Sequence, residues 1–179
     1  MKISVILTTY NRGKTYLRQA IQSVVDQTYK NWELIIFDNY STDNTDEIVR
    51  EFSKYNIKYN KLQNNGIIAR SRNAAIKLAT GDYIALIDSD DYWENNKLAV
   101  SCKYLSKNND DGFCHAENWL FSDGRNMIKK YGPEKRFLFN NLLTQGNCLS
   151  PSATLIKREI LNQVGGYSEK EKFITAEDY

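Results

Sequence analysis

Apolar and polar positions alternate in short blocks along the first ninety residues. Ile3-Ser4-Val5-Ile6-Leu7 is a β-branched run that ends in the turn-rich Thr8-Thr9-Tyr10-Asn11-Arg12-Gly13, and it predicts a first strand. Leu17, Ala20, Ile21, Val24 and Val25 recur at i, i+3, i+4, i+7 and i+8, one face of an amphipathic helix. Trp32 to Phe37 predicts a second buried strand, ending on Asp38. The polar cluster Ser41 to Asp46 supplies helix N-caps ahead of Ile48, Val49 and Phe52, which mark a second helix. Ile57 to Leu62 is a weaker strand, Ile68 to Ala79 a third helix stopped by Gly81, and Tyr83 to Ile87 a fourth strand ending on Asp88.

This β-α-β-α-β-α-β order, with strands apolar on both faces, calls for an α/β fold: a mostly parallel sheet covered by helices on both sides. Ligands bind such sheets at the carboxyl ends of the strands, near a topological switch point. Three strands finish there on polar residues: Thr8, Asp38 and Asp88. Beyond Asp91 the pattern loosens. Leu98, Cys102 and Leu105 predict one more helix, Asn108 to Gly112 a turn, Phe113 to Phe121 a strand, and Asp123-Gly124 a turn. Shorter apolar pieces follow at 137–143, 153–156 and 160–164. No linker or repeat interrupts the chain, so residues 1–179 read as one domain.

Composition narrows the function. With 24 basic and 22 acidic side chains among 179 residues, the net charge of +2 leaves no basic excess for a dedicated nucleic-acid binder. Three cysteines at irregular spacing (Cys102, Cys114, Cys148) suggest neither a disulfide framework nor a zinc site, and fit reduced thiols in a cytoplasmic protein. No run approaches the ~18 apolar residues of a membrane span, so the expectation is a soluble chain or one peripheral to a membrane.

The sharpest chemical feature is Asp88-Ser89-Asp90-Asp91. Three carboxylates within four residues repel one another unless a cation neutralises them. With no thiolate or histidine nearby, hard oxygen ligands suit Mg²⁺ or Mn²⁺ bound together with a substrate's phosphates. An isolated cluster of this kind also serves as a solvated turn; its place directly after a buried strand favours the ligand reading. Asp38, at another strand end, can accept from ribose hydroxyls or a base N–H, or simply hold a turn. Arg72 opens the third helix and can balance charge around a nucleotide. Gly13-Lys14-Thr15 imitates the end of a phosphate-binding P-loop, but the glycine needed five positions earlier is Thr8. His115, the single histidine, has no nucleophile at a defined spacing and is expected to make ordinary strand hydrogen bonds.

In order along the chain, Val5-Ile6-Leu7-Thr8-Thr9-Tyr10-Asn11-Arg12, Ser23 to Tyr29, Trp32 to Asp43, Ser71-Arg72-Asn73 and Gly81 to Asp91 resemble a family 2 glycosyltransferase of the GT-A fold. Pro151 to Arg158, Val164-Gly165-Gly166-Tyr167 and Glu177-Asp178 extend the resemblance over essentially the whole chain. It implies a nucleotide-binding half over residues 1–91 and an acceptor-side half over 92–179. Thr8 and Tyr10 would line the nucleotide pocket, with Tyr10 stacked on uracil. Asp38 would bond the base beside Arg72. Asp88 would contact the ribose, and Asp90, with Asp91 close by, would hold the Mn²⁺ or Mg²⁺ that bridges the diphosphate of a UDP-sugar. Asp178 would be the general base for an inverting attack by a hydroxyl of a glycan or lipid-linked glycan acceptor, in bacterial surface polysaccharide synthesis at the inner face of the cell membrane.

Two departures stand out. Asn39 replaces a second aspartate common in the family, and the chain stops one residue after Asp178, so the acceptor-side half is expected to be incomplete. Two rival readings follow: a nucleotide-sugar-binding fragment without turnover, and a degenerate P-loop NTPase with Asp38 or Asp88 as its metal aspartate.

Overall fold

The computed structural model describes residues 1–108, 110–115, 117–120, 124–129 and 149–171. Six strands form the main sheet: β1 (Ile3–Thr9), β2 (Trp32–Asp38), β3 (Ile57–Lys61), β4 (Tyr83–Asp88), β5 (Gly112–Cys114) and β8 (Thr154–Lys157). Their spatial order is β3-β2-β1-β4-β8-β5. The first four are parallel to one another, while β8 is antiparallel to both β4 and β5. Chain order reverses beside β1, with β2 on one side and β4 on the other, so the switch point lies between β1 and β4.

Strand alternation divides the core in two. Ile3, Val5 and Leu7 of β1, Leu34 and Ile36 of β2, and Ala85 and Ile87 of β4 pack with α1 (Leu17–Val25), α2 (Thr45–Glu51) and α4 (Lys97–Asn108). Ile6, Ile35, Phe37, Ile84 and Leu86 pack on the other face, against Ala75 and Ile76 of α3 (Ile68–Leu78) and Leu161 of α5 (Arg158–Gln163). This two-sided cover is why β1, β2 and β4 read as continuous apolar runs. The edge strand β3 is only partly buried, which accounts for its weaker pattern.

The loosely patterned second half departs from expectation in its details. The run Phe113–Phe121 does not make one strand. β5 joins the large sheet beside β8, whereas β6 (Glu117–Leu120) pairs with β7 (Asn126–Lys129) in a separate two-stranded sheet. Alternation alone carries no information about which partner each part of such a run will find. His115 falls just past β5, where its N–H donates to the Ala153 carbonyl at 3.1 Å. Residues 153–156 split between a 3₁₀ turn (Pro151–Ala153) and β8. The piece at 137–143 and Cys148 lie outside the described residues. Cys102 and Cys114 are free thiols, and burial pushes the Cys102 thiol up, away from reactivity.

Gly81 does not stop α3, which ends at Leu78. A Cβ at Gly81 would sit 2.6 Å from the Ser4 amide nitrogen and 2.8 Å from the Lys2 carbonyl, so this glycine admits close passage of β1.

Candidate active site

The parallel register sets three strand ends side by side: Thr8 lies opposite Asp88, and Thr9 opposite Asp38. The sequence-predicted residues nevertheless divide between the two faces. Thr8 and Asp88 follow the alternation of Ile6 and Leu86 toward α3, while Asp38 follows Leu34 and Ile36 toward α1 and α2.

On the α3 face, the Arg72 guanidinium is buried, with a side chain only 5% exposed. Its Nη2 donates to Asp88 Oδ1 at 3.3 Å, and its Cζ lies 5.5 Å from the centre of the Tyr167 ring. A buried cation needs such partners, because desolvating it alone is costly. Tyr167 is delivered by a clasp that neither segment reveals alone. Asn73, next to Arg72 on α3, donates from Nδ2 to the Tyr167 carbonyl and accepts the Tyr167 N–H at Oδ1, both at 2.9 Å. Gly166 lies against the same amide in a left-handed conformation (φ +77°); a Cβ there would meet Asn73 Oδ1 at 2.5 Å. The Ser71-Arg72-Asn73 and Gly165-Gly166-Tyr167 motifs are thus two halves of one contact.

The acidic segment forms a tight turn, with the Asp91 N–H donating to the Asp88 carbonyl at 3.0 Å. Ser152 in the 3₁₀ turn braces it from below: its Oγ accepts the Asp88 N–H at 3.0 Å, and its carbonyl accepts Trp93 Nε1–H at 2.9 Å. Ser89 is buried, while Asp90 and Asp91 face solvent. Asp90 Oδ2 lies 3.4 Å from Arg12 Nη2. Among the described residues no group of three or more His, Cys, Asp or Glu side chains converges on a metal position. This donor set fits a hard divalent cation that takes one or two carboxylates from the protein and the remainder from substrate phosphates and water. It does not fit a metal caged wholly by protein.

The loops above the strand ends are stitched together. Asn11, at φ +52°, donates its N–H to Ser41 Oγ at 2.8 Å and accepts the Thr42 N–H at Oδ1 at 2.9 Å. Gly13 donates its N–H to Asp43 Oδ2 at 2.9 Å. Burial opposes ionisation of Asp43, but hydrogen bonds from the Thr45 hydroxyl, the Thr45 N–H and the Gly13 N–H outweigh it and lower its pKa. The Gly13 amide that a P-loop would offer to phosphate is therefore already taken. Tyr10, between these ties, remains 54% exposed.

Asp38 is fully buried. Its Oδ1 accepts the Ser41 N–H at 3.0 Å and the Ser41 hydroxyl at 2.5 Å, and its Oδ2 accepts the Tyr59 hydroxyl at 2.8 Å. Tyr59 Oη also lies 2.5 Å from Asp46 Oδ1. With one proton it serves one carboxylate at a time, and burial followed by these two carboxylates pushes the phenol up. Lys61 completes the group, 2.8 Å from Asp46 and 3.9 Å from Asp38. Tyr59, Asp46 and Lys61 were missed in the sequence; the available signal was polar alternation, Tyr59 and Lys61, on an otherwise half-apolar strand. Asn39 serves the backbone, since its Oδ1 accepts the Asn64 N–H at 2.9 Å and ties in the loop after β3. Asp178 lies outside the described residues.

Residues 4–165 match the family described as glycosyl transferase family 2. The chain belongs to that family. Among curated relatives, an Escherichia coli protein named as UDP-Glc:alpha-D-GlcNAc-diphosphoundecaprenol beta-1,3-glucosyltransferase WfgD is 34% identical over 178 residues, covering 99% of this chain and 66% of its own length. An uncharacterized glycosyltransferase of Methanocaldococcus jannaschii, MJ1057, is 29% identical over 187 residues, covering 99% of this chain and 62% of its own. Among solved structures, S. aureus TarS 1-349 in complex with UDP superposes with a TM-score of 0.81 at 28% identity, over 99% of this chain and 53% of that one. The six-stranded sheet and its helical cover are therefore shared with TarS, and the fold is that of the GT-A glycosyltransferases. The chain spans about half to two thirds of the length of these three relatives.

Proposed function

We propose that this chain carries the donor-binding core of an inverting, metal-dependent glycosyltransferase that moves a sugar from a UDP-sugar to a hydroxyl of a glycan, in bacterial surface polysaccharide synthesis. The observation that carries the reading is the Arg72–Asp88 pair at the β1/β4 switch point, directly beside the exposed Asp90 and Asp91. Two guanidiniums, buried Arg72 and exposed Arg12, stand against three carboxylates, and the remaining negative charge disfavours a diphosphate unless a divalent cation comes with it.

In this reading Tyr10 offers its exposed ring to the uracil, and Thr8 forms the floor between β1 and β4. Asp38, fully buried and accepting from Ser41 and Tyr59 through both oxygens, meets a base N–H only by giving up one of these bonds. Asp88 meets the ribose, and Arg72 holds Asp88 in place while keeping positive charge under the nucleotide. Asp90 and Asp91 hold Mn²⁺ or Mg²⁺, which when bound offsets the charge that grows on the departing diphosphate. Asp178 takes the proton of the acceptor hydroxyl as that oxygen attacks the anomeric carbon from the face opposite the diphosphate, which inverts the configuration. The relative WfgD is named for a UDP-Glc donor and a GlcNAc-diphosphoundecaprenol acceptor, and TarS has been crystallised with UDP; both support a UDP-sugar donor here, and the first supports a lipid-linked glycan acceptor.

The test is calorimetric titration of UDP into the purified chain, with Mn²⁺ and then with EDTA. UDP is expected to bind only with the metal, and ATP not at all. Asp90→Ala should abolish the metal-dependent heat, whereas Asp178→Asn should leave it unchanged and stop transfer. UDP binding to Asp90→Ala with unaltered Mn²⁺ dependence would remove the metal assignment. Binding of ATP in place of UDP would restore the NTPase alternative.

A further inference from the structure

Asp38 lies buried under the groups that bond it, so a base can reach it only where one of them gives way. Ser41 is tied down twice. Its N–H is fixed in the turn after β2, and the Oγ that donates to Asp38 Oδ1 also accepts the Asn11 N–H at 2.8 Å. Releasing it would untie the loops after β1 and β2. Tyr59 is differently placed. Its hydroxyl stands 2.8 Å from Asp38 Oδ2 and 2.5 Å from Asp46 Oδ1, with one proton for the two carboxylates. It also sits on the edge strand β3, which is only partly buried.

Asp46 is equipped to take that hydrogen bond alone. Lys61 Nζ lies 2.8 Å from it, and the hydrogen bonds from Lys61 and Tyr59 lower its pKa. Lys61 is 3.9 Å from Asp38, too far to donate, so the cation favours the Asp46 side. A buried polar group that loses its partner is costly, whereas one that exchanges partners is not. A phenol that turns from Asp38 to Asp46 keeps a bond throughout. A base N–H arriving at Asp38 Oδ2 then restores the one that Asp38 gave up. No proton changes owner; only the direction of one O–H alters.

We infer that Tyr59 is a positioning residue and the yielding cover of Asp38: its hydroxyl bonds Asp38 until a nucleobase N–H arrives, and then turns to Asp46. The inference rests on the assignment of Asp38 to the base and adds how that site opens. The probes are UDP and N3-methyl-UDP, which lacks the base N–H, each titrated with Mn²⁺. The parent should bind UDP at least about tenfold more tightly than the methylated form. Tyr59→Phe removes a bond that has to be given up, and should tighten UDP about threefold. Asp46→Ala takes away the second acceptor, and should weaken UDP about tenfold. In the Tyr59→Phe background Asp46→Ala should change nothing, because its effect runs through the hydroxyl. Ribose 5-diphosphate with Mn²⁺, which carries no base, should bind all four proteins alike and serves as the control for folding. Failure of Tyr59→Phe to tighten UDP, or an Asp46→Ala effect that persists in the double variant, makes Tyr59 a structural brace and overturns the inference. Equal binding of both probes by the parent would show that no base N–H reaches Asp38, removing that assignment and this inference while the metal site stands. If UDP does not bind the parent at all, the donor reading itself falls and takes this inference with it.

Discussion

Arg72 is a buried cation whose neighbours include two unlike groups, the Asp88 carboxylate and the Tyr167 ring. Its planar guanidinium is suited to both at once, and a lysine ammonium is not. Arg72→Lys is therefore expected to weaken metal-dependent UDP binding about tenfold, or ~1.4 kcal/mol, by calorimetry. An unchanged dissociation constant would reduce Arg72 to a packing role. The sequence made Arg72 a candidate through its place at the start of a helix, and Asp88 through its place at the end of a strand. Their contact was not legible, because it depends on which face of β4 meets α3. Nor was the role of Tyr167, which the clasp through Asn73 ties beside Arg72. Asp38 was legible as a strand-end carboxylate, but not its complete burial among Ser41, Tyr59 and Lys61, since β3 showed too little pattern to reveal its partners.

At the scale of elements, β1, β2 and β4 could be read to within a residue or two, because double-sided burial leaves long apolar runs, and α1 and α3 by their periods; the half-buried β3 was legible only as a weak strand. The second half could not. Its strands are three or four residues long, and their partners are set by chain connections rather than by local pattern. The loops gain their order from cross-ties, and Gly13 makes one of them with no room for a side chain. A Cβ there would stand 2.6 Å from Asn44 Oδ1 and 2.8 Å from the Thr45 backbone nitrogen. Gly13→Ala should force the loops after β1 and β2 apart, costing about 1–3 kcal/mol in urea unfolding and weakening UDP binding with it. A variant of parental stability and affinity would show that these loops yield without consequence.

For the whole molecule, the opposite end of the sheet sets the response to acid. Glu33 is 1% exposed and accepts from the hydroxyls of Ser4 and Thr80, both at 2.7 Å, with Lys58 Nζ at 2.9 Å. Burial opposes its ionisation, but Lys58, the Thr80 and Ser4 hydroxyls and the Thr80 N–H outweigh that and lower its pKa to about 2. A carboxylate held below its unfolded value stabilises the fold fully above that value, near 4.5, and loses the contribution as pH falls toward 2. Up to about 3 kcal/mol should vanish across that window. Urea unfolding at pH 7, 4 and 3 should register the loss, and Glu33→Gln should flatten this part of the profile; the same acid limb in both proteins would place the sensitivity elsewhere.

The pairing of Thr8 with Asp88 and Thr9 with Asp38 has a last consequence. A slip of β1 by one residue would exchange the two faces, turning Thr8 toward α1 and Thr9 toward Arg72, and would bury Ser4 and Ile6 where Ile3, Val5 and Leu7 now pack. Ligand recognition and chain registration are thus read from the same strand. Nucleotide present during refolding should act as a proofreader, drawing molecules out of misaligned states because only the correctly threaded sheet can hold it.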